Sequence, residues 1–380
     1  MSGPLEHIRV LDLSRMYPGA MCTTLLADLG ARITKVEAPK VGDGLRAMVA
    51  PGQPNPAHLS LNRGKRSVVL DLRHPEAADV LRRLVADADV VVESHRPRAL
   101  DGAGLGFEAM RAVNPRLVWC SITGFGVTGP NANAPGHDLT YLGASGLLAK
   151  LADGDPTPPA APLSLALAGS MATAAVLAAL VEAQRTGRGR WVETSMTDVA
   201  TWVLSEDVAR VANAPGPGWG TVAGRNVYAC RDGRHVTVCA TESRTWATLC
   251  DALGTPDLAG HRLGVDEEAP ATGRLAAVFA TKPAADWLAS PGYAGGVGPV
   301  HDVDALIDDP QITERGSLVT LDTGSTVLAS PIRFPPSDGV AATLARAAPP
   351  DMGVDTDAVL SEAGYSAEEI AALRANGALG

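Results

Sequence analysis

The sequence predicts an α/β protein in which a Rossmann-like parallel sheet forms a large domain and a smaller α+β domain follows it. Three observations lead there. Short β-branched runs alternate with helical segments through the first third of the chain, the pattern of parallel strands joined by helical crossovers. Loop-rich stretches at 153–163 and 213–225 then interrupt the chain. Beyond them, Asp232-Gly233 lies between two β-rich runs, a short-range hairpin signal.

In chain order, strands are expected at residues 8–13, 32–37, 67–72, 89–93 and 117–122, with helices at 19–29, 75–86 and 107–113. Pro75 suits a first helical position, where its missing N–H costs nothing. A long helix rich in small residues is expected up to Gln184, capped by the glycine of Thr186-Gly-Arg-Gly189. In the smaller domain the hairpin is expected at 227–230 and 235–239, with Glu242 just beyond it. Ser366 and Glu369 have capping-box spacing near the chain end. The expected organisation is a large domain over 1–205, a linker at 206–225, a small domain over 226–330, and a segment at 331–380 returning to the large domain.

Composition narrows the function. Of 380 residues, 46% are hydrophobic, 19% charged and 4% aromatic, which suits a globular protein with closely packed helices. A net charge of −10 argues against general nucleic-acid binding, which needs a basic face to neutralise phosphates. The five cysteines contain no C-x-x-C pair, so neither a disulfide framework nor a zinc or other metal site is expected. The amino terminus lacks a basic and then apolar leader, so a cytoplasmic protein is expected. The apolar stretch at 163–181 is built mainly from Ala, Gly, Ser and Thr and reads as a buried helix, so no membrane association is expected.

In open α/β sheets ligands sit at the carboxyl ends of the strands. This directs attention to Ser14–Tyr17, to Ser94–Arg96, and to the glycine-rich run from Gly124 that ends at His137-Asp138. Arg46, Arg63, Lys65, Arg66, Arg96 and Arg98 are cations near strand ends that could hold phosphates through charge-assisted bonds, or could line a solvated face. No Walker sequence, H-E-x-x-H pair or G-x-S-x-G elbow is present. His137 is the best acid/base candidate, because imidazole titrates near neutrality and a flexible loop can present it.

Taken together, Arg9-Val-Leu-Asp-Leu-Ser14, Lys35-Val-Glu-Ala-Pro39, Asn62-Arg-Gly-Lys65, Glu93-Ser-His-Arg-Pro97, Ile122-Thr-Gly-Phe-Gly126 and Thr186-Gly-Arg-Gly189 make the chain resemble the family III CoA-transferases. Gly136-His137-Asp138 followed by Tyr141, and Thr241-Glu242 after the hairpin, resemble the alpha-methylacyl-CoA racemase branch. The resemblance implies His137 as an α-proton base partnered by Glu242, with Asp138 beside it. It also implies a CoA site bordered by Arg46, Asn62, Arg63, Lys65, Arg66 and Arg96, an acyl pocket near Tyr17, Tyr141 and Ser164, and an interlocked homodimer. CoA would enter as part of the substrate, an acyl-CoA or carrier-bound thioester, with no covalently held cofactor.

One departure stands out. Members of the family usually carry an Asp at the start of the long helix, about 21 or 22 residues before the Thr-Gly-x-Gly turn. Here those positions hold Leu165 and Ser164, and neither can be a carboxylate nucleophile. The expected chemistry is therefore α-proton abstraction on an acyl-thioester, with the start of the long helix as a dipole for the enolate. Epimerisation is the family default, and one-base elimination, double-bond migration or cyclisation are alternatives. CoA transfer and a non-catalytic CoA-binding homologue also remain open. Arg98, where the family commonly has Gly, is a second departure.

Overall fold

The computed structural model describes residues 3–47, 55–152, 155–213, 220–289, 296–334 and 346–379. The chain divides into two compact units, one formed by Met1–Val208 with Glu314–Gly380 and the other by Ala209–Thr313.

The first unit begins β1 (Arg9–Asp12), α1 (Tyr17–Asp28), β2 (Arg32–Glu37), α2 (Pro56–Leu61), β3 (Arg66–Val69), α3 (Ala77–Ala86), β4 (Val90–Glu93), α4 (Phe107–Val113) and β5 (Val118–Thr123). It continues through α5 (Asp138–Ser145), α6 (Leu147–Leu151), α7 (Leu163–Thr186), β6 (Trp191–Ser195), α8 (Met196–Trp202) and α9 (Ser205–Asn213), the last of which carries the chain into the second unit. The six strands form one parallel sheet in the order β3-β2-β1-β4-β5-β6. The order reverses between β1 and β4, so the crevice at their carboxyl ends is the expected ligand region.

The sheet is covered on both faces, which explains why Val90, Val91 and Val92 form an unbroken apolar run with no exposure. One core joins Leu11, Val68 and Val91 of the strands to Leu81 of α3 and Met110 of α4. The opposite core joins Val10, Val90 and Ile122 to Leu26 of α1 and to Ala168, Ala172 and Val176 of α7. α7 is long and apolar enough to cross a membrane by length and composition alone, but its alanine face packs on α1 and the sheet. Gly187 ends it at φ 73°, a left-handed cap for which glycine has no Cβ penalty.

In the second unit β7 (Arg225–Ala229), β8 (His235–Cys239) and, after helices α10 (Ser243–Ala252), α11 (Glu268–Phe279) and α12 (Ala284–Ala289), β9 (Val297–Pro299) make an antiparallel sheet. Tyr228 stacks on Phe279 at 5.0 Å in a core that includes Val236, Trp246 and Leu275. The β7–β8 turn places Gly233 at φ 76°, as the Asp-Gly pair predicts.

After α13 (Pro310–Glu314), the hairpin of β10 (Leu318–Thr320) and β11 (Thr326–Leu328) belongs to the first unit, where Val319, Leu321 and Val327 pack with Leu59. The return thus begins at Glu314 and not at 331. Of the closing helices, α14 (Thr356–Glu362) lies beside β3 and α15 (Ala367–Ala375) packs on α14. There Asp355 Oδ2 accepts from the Ser67 N–H at 2.8 Å, Thr356 Oγ1 from the Val69 N–H at 3.0 Å, and the Ala378 carbonyl from the Asp71 N–H at 2.9 Å. Ser366 and Glu369 form the expected capping box on α15.

Three local expectations change. β6 is an additional strand, Pro75 precedes α3 and does not open it, and α9 occupies part of the expected 206–225 linker.

Candidate active site

The glycine-rich segment after β5 is fixed at several points. The Gly124 carbonyl accepts from the Thr197 hydroxyl at 2.8 Å and from its N–H at 3.0 Å. The Gly126 N–H donates to Thr123 Oγ1 at 3.0 Å, and the Val127 N–H donates to Glu193 Oε1 of β6. At the far end the Tyr141 hydroxyl donates to the Gly136 carbonyl at 2.6 Å, while its ring meets Phe125 edge-on at 5.2 Å. Tyr141 is 6% exposed, and burial raises the pKa of its phenol. It packs and positions the loop and is not an open pocket wall. Glu193, Ser195 and Thr197 were not singled out in the sequence. The usable signal was a polar run at a strand end just after Thr-Gly-Arg-Gly.

This anchoring places His137 at the N-cap of α5, extended at φ −134° and ψ 177°, with an exposed side chain. Asp138 begins the helix and turns toward α7. Its Oδ1 accepts from the Ser164 hydroxyl at 2.6 Å, the Ser164 N–H at 2.8 Å and the Leu165 N–H at 3.4 Å. Ser164 is completely buried. A carboxylate at a helix start is favoured by the unpaired N–H groups and the positive end of the helix dipole. The donors expected to stabilise an enolate are therefore already engaged by Asp138.

Two of the expected phosphate grips point inward. Arg63 pairs with buried Asp28. Lys65 Nζ lies 3.1 Å from Asp12 Oδ2, 2.7 Å from Thr23 Oγ1 and 2.9 Å from Asn62 Oδ1, all of them buried. Lys35 joins the same cluster, 3.4 Å from Asp12 and 2.7 Å from Asp43. Burial would raise the Asp12 pKa, but Lys35 and Lys65 outweigh it and bring it to about 2. Burial, and then the neighbouring Lys35, bring the Lys65 pKa down to about 8 despite Asp12. Asn62 Nδ2 is 2.9 Å from His58 Nδ1. Burial and then Arg46 depress the His58 pKa to about 4.

Arg46 is engaged bidentately by Glu37 at 2.7 Å, and Arg66 by Glu362 at 2.7 and 3.1 Å. Tyr17 is half-buried against Ala20, Leu45 and Leu61. Arg96 differs from these. It is exposed beside a cavity of about 330 Å³ that Glu93, Arg98, Phe107, Thr123 and Trp191 also line. Neither Arg96 nor Arg98 has an ion-pair partner among the described residues. Arg98 sits at φ 61°, a left-handed conformation suited to the glycine expected there.

Glu242 lies in the second unit as the N-cap residue of α10, exposed and without a side-chain bond to the helix start.

Comparison with known proteins agrees with this layout. Residues 5–356 match the pattern of CoA-transferase family III. Human alpha-methylacyl-CoA racemase is 32% identical over 382 residues, covering 96% of this chain and 95% of that one. Human succinyl-CoA:glutarate CoA-transferase is 30% identical over 336 residues, covering 84% of this chain and 76% of its own length. A CAIB/BAIF family protein from Brucella suis has a similar solved structure, with a TM-score of 0.80 at 29% identity over 96% of this chain and all of that one.

Proposed function

Because this chain belongs to CoA-transferase family III, an enzyme family acting on acyl-CoA, we propose that it moves the α-proton of an acyl-CoA thioester and thereby epimerises the α-carbon. The observation that carries this reading is the start of α7. Buried Ser164 occupies that position and donates to Asp138, while His137 stays exposed on the adjoining helix cap. An acid/base pair for a carbon acid is thus at hand without a carboxylate on α7 itself.

In this reading His137 exchanges a proton with the α-carbon, and the electron pair left behind is delocalised into the thioester carbonyl. Tyr141, Thr197 and Glu193 hold the loop that presents the imidazole, which limits the positions from which it can reach the substrate. Arg96, exposed and unpaired among the described residues, is the cation we assign to CoA phosphate. The experiment is incubation with single-enantiomer 2-methylacyl-CoA thioesters in deuterated buffer. Deuterium at C2 with inversion, and loss of inversion in His137→Ala, are expected. Absence of uptake from every thioester tested would remove the reading.

A second reading, CoA transfer, is favoured by relatives named as CoA-transferases, including one from Agrobacterium fabrum at 31% identity over 87% of this chain. It predicts passage of CoA from a thioester to a free carboxylic acid, and the same thioesters with added succinate or glutarate test it.

A further inference from the structure

The side chains around α7 leave one oxygen without an assigned role. Asp138 Oδ1 is engaged by the Ser164 hydroxyl and by the N–H groups of Ser164 and Leu165. Asp138 Oδ2 receives no hydrogen bond from the described residues, and the residue is only half-buried. A carboxylate serving as a helix cap alone needs one accepting oxygen. Here the cap is complete on Oδ1, and the second oxygen projects from a fixed position.

Its neighbour faces elsewhere. His137 is extended and Asp138 is the first helical residue; side chains leaving an extended residue and its successor diverge. The carboxylate is tied to α7, while the imidazole is exposed and shares none of those bonds. Consecutive residues therefore offer two proton-transfer groups from two directions.

We propose that Asp138 Oδ2 is the second catalytic acid/base of the site, working on the opposite face of the α-carbon from His137. The inference rests on the α-proton reading above. For one epimer, Asp138 carboxylate takes the α-proton, and the C–H pair moves into the thioester carbonyl to form the enolate. Imidazolium His137 then gives its proton to the other face, leaving neutral imidazole and carboxylic acid. The opposite epimer follows the reverse path; between turnovers of one epimer, Asp138 releases its proton to water and His137 takes one up from water, which restores the starting protonation and carries solvent deuterium into the site. Ser164, which cannot be the acid/base itself, orients Asp138 by its hydroxyl.

The test follows each epimer of a 2-methylacyl-CoA separately in deuterated buffer. Asp138→Asn keeps an acceptor for the α7 N–H groups but no proton-transfer oxygen. Inversion should fall by on the order of a hundredfold or more, while exchange with retention survives in one epimer through His137. His137→Ala should show the complementary pattern, with exchange only in the other epimer, and it decides the matter if the Asn variant does not fold. Ser164→Ala keeps the carboxylate but removes the hydroxyl that orients it, and should slow inversion several-fold without abolishing it.

Inversion at the wild-type rate in Asp138→Asn would overturn the proposal, as would complete loss of exchange from both epimers in His137→Ala. Failure of the wild-type protein to exchange any thioester would instead remove the α-proton reading on which the proposal stands.

Discussion

The hydroxyl of Tyr141 donates to the carbonyl of Gly136 at 2.6 Å, one residue ahead of His137. A helical side chain thus reaches back to hold the loop that delivers the imidazole. Tyr141→Phe removes that bond and little else. Stability should fall by about 1 kcal/mol, measured by urea unfolding, and the α-exchange rate should drop several-fold with KM for the thioester unchanged. An equal rise in KM would assign Tyr141 to substrate binding instead.

The same ring restricts its neighbours. A Cβ on Gly124 would lie 2.5 Å from Tyr141, and one on Gly136 would lie 2.6 Å from it. Gly124→Ala should destabilise the protein by about 1–3 kcal/mol through overpacking and should depress exchange more than Tyr141→Phe does. Thermal melting beside the exchange assay checks both.

Acid should destabilise the fold in two stages. His58 has a folded pKa of about 4 against the ordinary 6.5, so below pH 6.5 the unfolded chain takes up a proton that the native protein refuses. Stability falls from there toward pH 4. Asp12 has a folded pKa of about 2 against 3.8. Its contribution is present above 3.8 and is lost as pH falls through about 2. His58→Gln should flatten the upper stage only, as read from urea midpoints at a series of pH values.

Lys65→Met should be the most damaging of these changes. It leaves buried Asp12 with Lys35 as its one remaining cationic partner in this cluster. Breaking a buried pair by removing one partner costs about 3–5 kcal/mol. Chemical denaturation measures it, and a cost near zero would contradict the internal role assigned to this lysine.

Arg98→Gly should move the other way. Relief of a left-handed arginine at φ 61° should add about 1 kcal/mol, visible as a raised melting temperature. Arg98→Ala, which keeps a Cβ, should show no such gain. Binding of the thioester to both variants reports separately whether the guanidinium helps recognise CoA.

The parallel sheet was legible because its strands are buried on both faces and read as compact apolar runs, as at Val90–Val92. β6 was harder to see. It is an edge strand whose Trp191 and Glu193 remain exposed, so its apolar pattern is discontinuous even though Gly187 and Gly189 precede it. His137 and Asp138 were visible because they follow a glycine-rich run at a strand end. The role of Asp138 on α7 was hidden, since Ser164 meets it only after an intervening 25 residues have folded back. Lys65 shows the opposite limit. A lysine beside a strand reads alike whether it faces phosphate or Asp12, and the choice depends on Thr23, Asn62 and Asp12 from separate segments.

The bonds from the closing segment to β3 bear on how the polypeptide is made. β3 is one of the two edge strands of the sheet, and the outward N–H groups of Ser67, Val69 and, just beyond it, Asp71 meet Asp355, Thr356 and Ala378. Until residues 355–378 have been synthesised, that strand has no cover on its free side, a state that invites pairing with another chain. Emergence of that segment therefore ends an interval of vulnerability. Truncation before Asp355 should yield aggregated protein even though every strand of the large sheet has been translated.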